Sequence, residues 1–255
     1  MIKTKETSSG RVFNVRGEPN TDNSVDEQIF NAVIVNNEYK IDERVQGGIV
    51  IDIGANIGCF SFLCIEKGAS EIHAFEPQER NFEMLSMNIK GPRFFVYNKA
   101  VWRSDKEDAV LCFHNGQHEG AGFVTNNDGD SKVKTIAFDD IVRSIVNKGN
   151  RVRLLKIDCE GSEFPILYTS KMLEYVDEIV GELHFFSWLY NNNNDERGVP
   201  RPGDHPLGLD DLPYETDAET FFLFLKNQGF TNIQYGRSIP EGYSLGGMDF
   251  SASRR

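Results

Sequence analysis

Six carboxylates and one imidazole stand where this chain could do chemistry. Asp158, Glu160 and Glu163 come directly after the apolar run Val152-Arg-Leu-Leu-Lys-Ile157. A buried strand that opens onto three carboxylates is uncommon as pure structure, because like charges at short range repel and shift each other's pKa. Glu182 and His184 lie near the end of Glu178-Ile-Val-Gly-Glu-Leu-His-Phe-Phe186, and the strand period of two puts both on one face. Such a set can hold or take a proton. His184 titrates near neutrality, and Asp158 can act as a base or orient a partner without titrating. Glu76 ends the strand-like Glu71-Ile-His-Ala-Phe-Glu76, where Pro77 forbids continuation. It follows Gly58 by 18 positions, near the roughly 20 at which an acidic residue takes the ribose hydroxyls of a nucleotide. Asp52 heads the glycine-bracketed Asp52-Ile-Gly-Ala-Asn-Ile-Gly58.

Those side chains need a frame. Ile49 to Ile53 is β-branched except for Asp52, and a run this short that breaks into glycines reads as a strand buried on both faces. Gly54 and Gly58 then make a turn, and Phe60 to Lys67 continues as a helix. A loop and helix N-terminus at a strand's C-terminal end form a crevice where ligands collect in open α/β sheets. A dinucleotide fingerprint requires glycine where Asn56 stands, which weakens an NAD(P)-dependent oxidoreductase as the alternative. Helices are expected over Asp26 to Glu38, Asn81 to Ile89, Phe138 to Val146, from Phe164 onward, and over Asp217 to Asn227. Further strands are expected at Glu71 to Glu76, Phe94 to Tyr97, Val152 to Asp158 and Glu178 to Phe186. Thr231 to Tyr235 and Met248 to Ala252 read as a terminal hairpin on the sheet edge. Asn98 to Trp102 reads as a loop over a bound base, with Trp102 placed either to stack on it or to fill the core.

The chain reads as one domain: an arm over 1–27, a binding core over 28–186, and an acceptor loop with closing helix and hairpin over 187–255. The arm is expected to be loosely attached or to form short edge strands. Short strands at 109–113 and 133–136 flank an inserted hairpin over 115–130. The Asn- and Pro-rich stretch 187–213 is longer than compact domains usually carry, which suits a lid over an acceptor or disorder. With 255 residues and a net charge of −12, the chain can bury a full α/β core and lacks the basic excess for a sequence-independent grip on nucleic acid or anionic membrane. No apolar run approaches the roughly 20 residues that span a bilayer, and Met1 to Gly10 lacks a signal peptide's apolar segment, so a cytoplasmic protein is expected. Cys59, Cys64, Cys112 and Cys159 show no paired spacing and read as ordinary buried thiols. His114, His118 and Glu119 read as surface polar residues. No metal ligands are assigned, and Mg2+ beside Asp158 stays an open alternative.

Four pieces in order carry a resemblance: Val50-Ile-Asp-Ile-Gly-Ala-Asn-Ile-Gly58, Ala74-Phe-Glu-Pro77, Ala100-Val101 and Lys156-Ile-Asp-Cys-Glu-Gly-Ser-Glu163. Over roughly Val50 to Phe186 the sequence resembles the FkbM family of S-adenosylmethionine-dependent methyltransferases. The resemblance implies a Rossmann-like class I methyltransferase fold, with a mostly parallel seven-stranded sheet and helices on both faces. It implies methyl transfer from S-adenosylmethionine to a hydroxyl of a sugar or natural-product small molecule. Cofactor contacts are then expected from Asp52, Gly54, Ala55, Asn56, Gly58, Glu76, Ala100, Val101, Trp102 and Asp158. Acceptor contacts are expected from Glu160, Glu163 and Glu182, with His184 and Asp158 as candidate bases. A non-catalytic cofactor-binding domain is the remaining alternative.

Overall fold

A seven-stranded sheet is the frame of the molecule. The computed structural model describes residues 1–17, 24–105, 111–115, 122–125, 131–184, 212–214, 216–237 and 247–254. Its strands are β1 (Ile2–Glu6), β2 (Val12–Arg16), β3 (Ile49–Ile53), β4 (Glu71–Phe75), β5 (Phe94–Tyr97), β6 (Ala100–Trp102) and β7 (Leu111–Asn115). They continue with β8 (Gly122–Thr125), β9 (Ser131–Val133), β10 (Thr135–Ala137), β11 (Val152–Ile157), β12 (Glu178–His184), β13 (Asn232–Arg237) and β14 (Gly247–Ser253). The central order is β5-β4-β3-β11-β12-β14-β13. All neighbours pair parallel except that β14 runs antiparallel to β12 and β13. The expected parallel sheet with a terminal hairpin is therefore present.

Helices α1 (Val25–Phe30), α2 (Cys59–Glu66), α3 (Glu79–Asn88), α4 (Phe138–Val146), α5 (Glu163–Tyr168) and α6 (Ala218–Asn227) cover both faces. One apolar cluster joins Ile51 and Ile157 to α4, α5 and α6, while the other joins Val50, Leu154 and Val180 to α1, α2 and α3. Alternation along each strand thus feeds two cores. It also sends Asp52, Lys156, Asp158 and Glu182 to the α1–α3 side. α1 starts at a capping box in which Glu27 N–H donates to Ser24 Oγ (3.3 Å) and Ser24 N–H donates to Glu27 Oε2 (3.1 Å). The helix then widens into a π-helical turn at Asn31–Val35, a form frequent at functional sites.

Of its two expected forms the arm takes the second, short strands: β1 and β2 pair antiparallel, and Phe13 and Val15 are fully buried in the second core. Arg16 donates from Nε and Nη2 to Asp26 (2.9 and 2.8 Å) and from Nη2 to Asn81 (2.7 Å), tying the hairpin to α1 and α3. Residues 100–102 are not a covering loop but strand β6, paired parallel with β10. Around the expected insert, β7 pairs antiparallel with β8 and β9 as a separate three-stranded sheet. His118, Glu119 and residues 187–211 of the expected acceptor loop lie outside the described residues, as does the side chain of His114. Among the described residues, no helix is long and apolar enough to cross a membrane.

Candidate active site

The C-terminal ends of β3, β4, β11 and β12 open on a cavity of about 420 Å3. The glycine loop after β3 forms one wall. Gly54 takes φ 73°, and a Cβ there would lie 1.9 Å from the Asp158 carbonyl oxygen, so only glycine lets the two strand ends meet. Asn56 also adopts positive φ, 50°, and its N–H donates to Glu76 Oε2 (2.8 Å) while Gln78 N–H donates to Glu76 Oε1 (2.8 Å). Burial pushes the Glu76 carboxyl up to about 7, against these two amides. Each Glu76 oxygen keeps acceptor capacity beyond its single amide.

Lys156 is the hub of the loop. Its buried ammonium donates to Gly54 O (2.7 Å) and Ile53 O (3.3 Å) and lies 3.6 Å from Asp52 Oδ1 and 3.4 Å from Asp158 Oδ2. Burial opposes its charge, but Asp158 and Asp52 outweigh burial and hold Lys156 protonated. Asp158 Oδ2 also accepts from the Tyr39 hydroxyl (3.0 Å), whose ring meets Phe60 edge-on at 5.3 Å. Burial pushes Asp158 up, and Lys156, His184 and the Tyr39 hydroxyl reverse that, leaving it ionised below the usual carboxylate value.

Of the expected residues, Gly54, Ala55, Asn56, Glu76, Ala100, Val101, Asp158, Glu160 and Glu182 line the cavity. Asp52 does not. It is fully buried, accepts from Ser61 Oγ (2.7 Å), and so pins α2 and Lys156 from behind the wall. Gly58 serves packing: its Cβ would meet Leu85 Cδ1 at 2.9 Å, and its φ of 94° caps α2. Trp102 is 4% exposed inside β6 and lines no part of the cavity, so the stacking expectation is corrected to core packing.

Glu163 and His184 also change roles. Glu163 is fully buried and accepts from Cys159 N–H (2.8 Å) and Gly161 N–H (2.9 Å), which removes it from any acceptor contact. Its Oε1 lies 3.1 Å from His184 Nδ1, and Glu160 Oε2 lies 3.5 Å from His184 Nε2. Burial disfavours the imidazolium, yet Glu160 and Glu163 outweigh it and hold His184 well above 6.5. His184 does not line the cavity, and its ring nitrogens face Glu163 and Glu160, so the candidate base on the cavity wall is Asp158 rather than His184.

Sequence reasoning passed over Tyr39, Glu38 and Lys156. Lys156 had a signal, a lone ammonium in an otherwise apolar strand that ends in carboxylates. Tyr39 and Glu38 had none, since they reach the cavity only because α1 and its π-helical turn fold across β3.

The family model for the methyltransferase FkbM domain matches residues 52–230. No curated protein matches the chain. Among solved structures, a putative S-adenosylmethionine-dependent methyltransferase from Listeria monocytogenes is 12% identical, with 86% of this chain and 97% of that one covered and a TM-score of 0.46. An S-adenosylmethionine-dependent methyltransferase from Mesorhizobium loti is 13% identical, covering 91% of this chain and 99% of that one at a TM-score of 0.45. A putative RNA methyltransferase from Pyrococcus horikoshii is 12% identical, covering 98% and 92% at a TM-score of 0.40. At such scores no substrate carries over from any of the three. The family match spans more than half of the chain, and the protein belongs to the FkbM methyltransferase family, as an enzyme that uses S-adenosylmethionine.

Proposed function

We propose that this methyltransferase acts on a hydroxyl oxygen of a sugar or natural-product small molecule. The observation that carries the reading is the Asp158 carboxylate on the wall of the cavity that the glycine loop also lines, held at Oδ2 by Tyr39 and Lys156. Adenosylmethionine supplies an electrophilic methyl group, which passes to the acceptor oxygen as its carbon–sulfur bond breaks. The residues fit this cofactor. Glu76 is placed to accept the two ribose hydroxyls, and Phe75, Ala100 and Val101 offer apolar surface to a base. Gly54, Ala55 and Asn56 wrap the amino-acid end.

Transfer by in-line displacement depends mostly on holding the reacting atoms collinear and dry. Asp158 accepts the acceptor hydroxyl's hydrogen bond and orients its oxygen, whose proton leaves to water as the methyl group arrives, while Lys156 and Tyr39 fix the carboxylate. Glu160 and Glu182 hold further hydroxyls of a polyol. Glu38, Asp158, Glu160 and Glu182 together favour an uncharged acceptor and repel a phosphate backbone, in line with the net charge of −12. The oxidoreductase and non-catalytic alternatives fall with the family membership.

The test is tritiated methyl transfer from adenosylmethionine into separate pools of glycans, small molecules, RNA and protein. Label in glycans or small molecules that survives the conditions for ester hydrolysis is expected. Label confined to RNA or protein would overturn the reading.

A further inference from the structure

The side chains at the ends of β11 and β12 form a group that the cofactor does not need. Asp158, Glu182 and His184 each offer one ligand atom, and the three atoms lie within 4.8 Å of one another. Ligands on one cation at about 2.1 Å sit roughly 3 Å apart, so closing the set takes side-chain rotation only.

Three features set this group apart from a patch of acids. First, it contains an imidazole, whose orientation is fixed by a charged group with no solvent exposure. Glu163 receives two backbone amides and faces His184 Nδ1, which leaves Nε2 toward Glu160 at 3.5 Å. A metal-binding histidine characteristically gives its other nitrogen to a carboxylate in this way. Second, the Tyr39 hydroxyl and the Lys156 ammonium both meet Asp158 at Oδ2 rather than at Oδ1. Third, carboxylates outnumber ammonium groups on the cavity wall, with Glu38, Glu76, Asp158, Glu160 and Glu182 against Lys99 and Lys156.

We infer that Asp158, Glu182 and His184 bind one divalent cation of the Mn2+ or Mg2+ type at the cavity wall. Two carboxylates and one imidazole suit such an ion and leave coordination positions open. Its role in transfer rests on the hydroxyl reading above. An acceptor hydroxyl bound at an open position loses its proton to water more readily, and its oxygen then takes the methyl group.

The probe is Mn2+, titrated into chelator-treated protein and followed by the loss of the free-ion electron paramagnetic resonance signal. One Mn2+ per chain is expected, with at least tenfold weaker binding in Glu182→Gln and in His184→Asn, while D140N, on the far surface of α4, binds as the parent does. Adenosylhomocysteine binding shows that each variant is folded, and if one is not, the other still decides. A parent protein that takes up no Mn2+, or two folded variants that bind it undiminished, would overturn the site. Binding lost as expected, with label entering no hydroxyl, would keep the site and retire only the hydroxyl reading.

Discussion

Glu76 holds its carboxylate 5% exposed under two backbone amides, a setting in which neither its charge nor its loss is indifferent. Glu76→Gln should weaken adenosylhomocysteine binding by about 1.5–3 kcal/mol, as expected for hydrogen bonds to a charged acceptor, measured by calorimetry. Burial holds the folded pKa at about 7, above the ordinary 4.5, so the folded apo chain keeps this proton better than the unfolded one. That contribution to stability is complete below about pH 4.5 and is lost as pH rises through about 7. Parent affinity for the cofactor product should therefore improve from pH 6 to 8, with the improvement absent in Glu76→Gln. A pH-independent parent would show that Glu76 is ionised throughout. Lys156 makes a second test at this scale, because its removal strands Asp52 and Asp158. Lys156→Met should cost about 3–5 kcal/mol in denaturant unfolding, and a loss under 1 kcal/mol would mean that the two acids neutralise without it. Glu76 was legible because a strand end, a proline and a spacing all point at it. Asp52, Glu163 and His184 were expected at the cavity and stand behind its wall, because the sequence tells which face a strand or helix residue takes, and not what stands between it and the cavity.

At the scale of elements, the glycine loop, β3, β4, β11 and α4 stand where apolar periodicity put them, since each is long or buried enough for one pattern to dominate. The N-terminal hairpin was legible only as one of two alternatives, and its burial was not legible. Its strands are mostly polar, and Phe13 and Val15 are too few to signal a buried face until β2 is laid against α1 and α3. Phe13 meets Phe30 at 5.6 Å and Phe62 at 5.1 Å, which links hairpin, α1 and α2 through one ring. Phe13→Ala should cost about 3–5 kcal/mol of global stability. It should also weaken cofactor binding, because α1 supplies Gln28 and Ile29 to the cavity wall. A melting temperature within a degree or two of the parent would make the hairpin a dispensable attachment after all.

Across the whole molecule, the cavity draws its wall from Val25 at one end and Glu182 at the other, so the site exists only when both cores are closed. The sheet has the same property at its far edge, where β14 stands between β12 and β13 although β13 comes first in the chain. Removing residues 247–255 should expose amides in β13 as well as in β12 to hydrogen exchange. Continued protection of Asn232 to Arg237 would show that β13 has another support. During synthesis the same order means that β13 emerges with no strand to join, and β12 waits as an open edge until the last strand arrives. A growing chain therefore carries an unpaired, aggregation-prone border from the completion of β12 at His184 until β14, which starts at Gly247, inserts beside it.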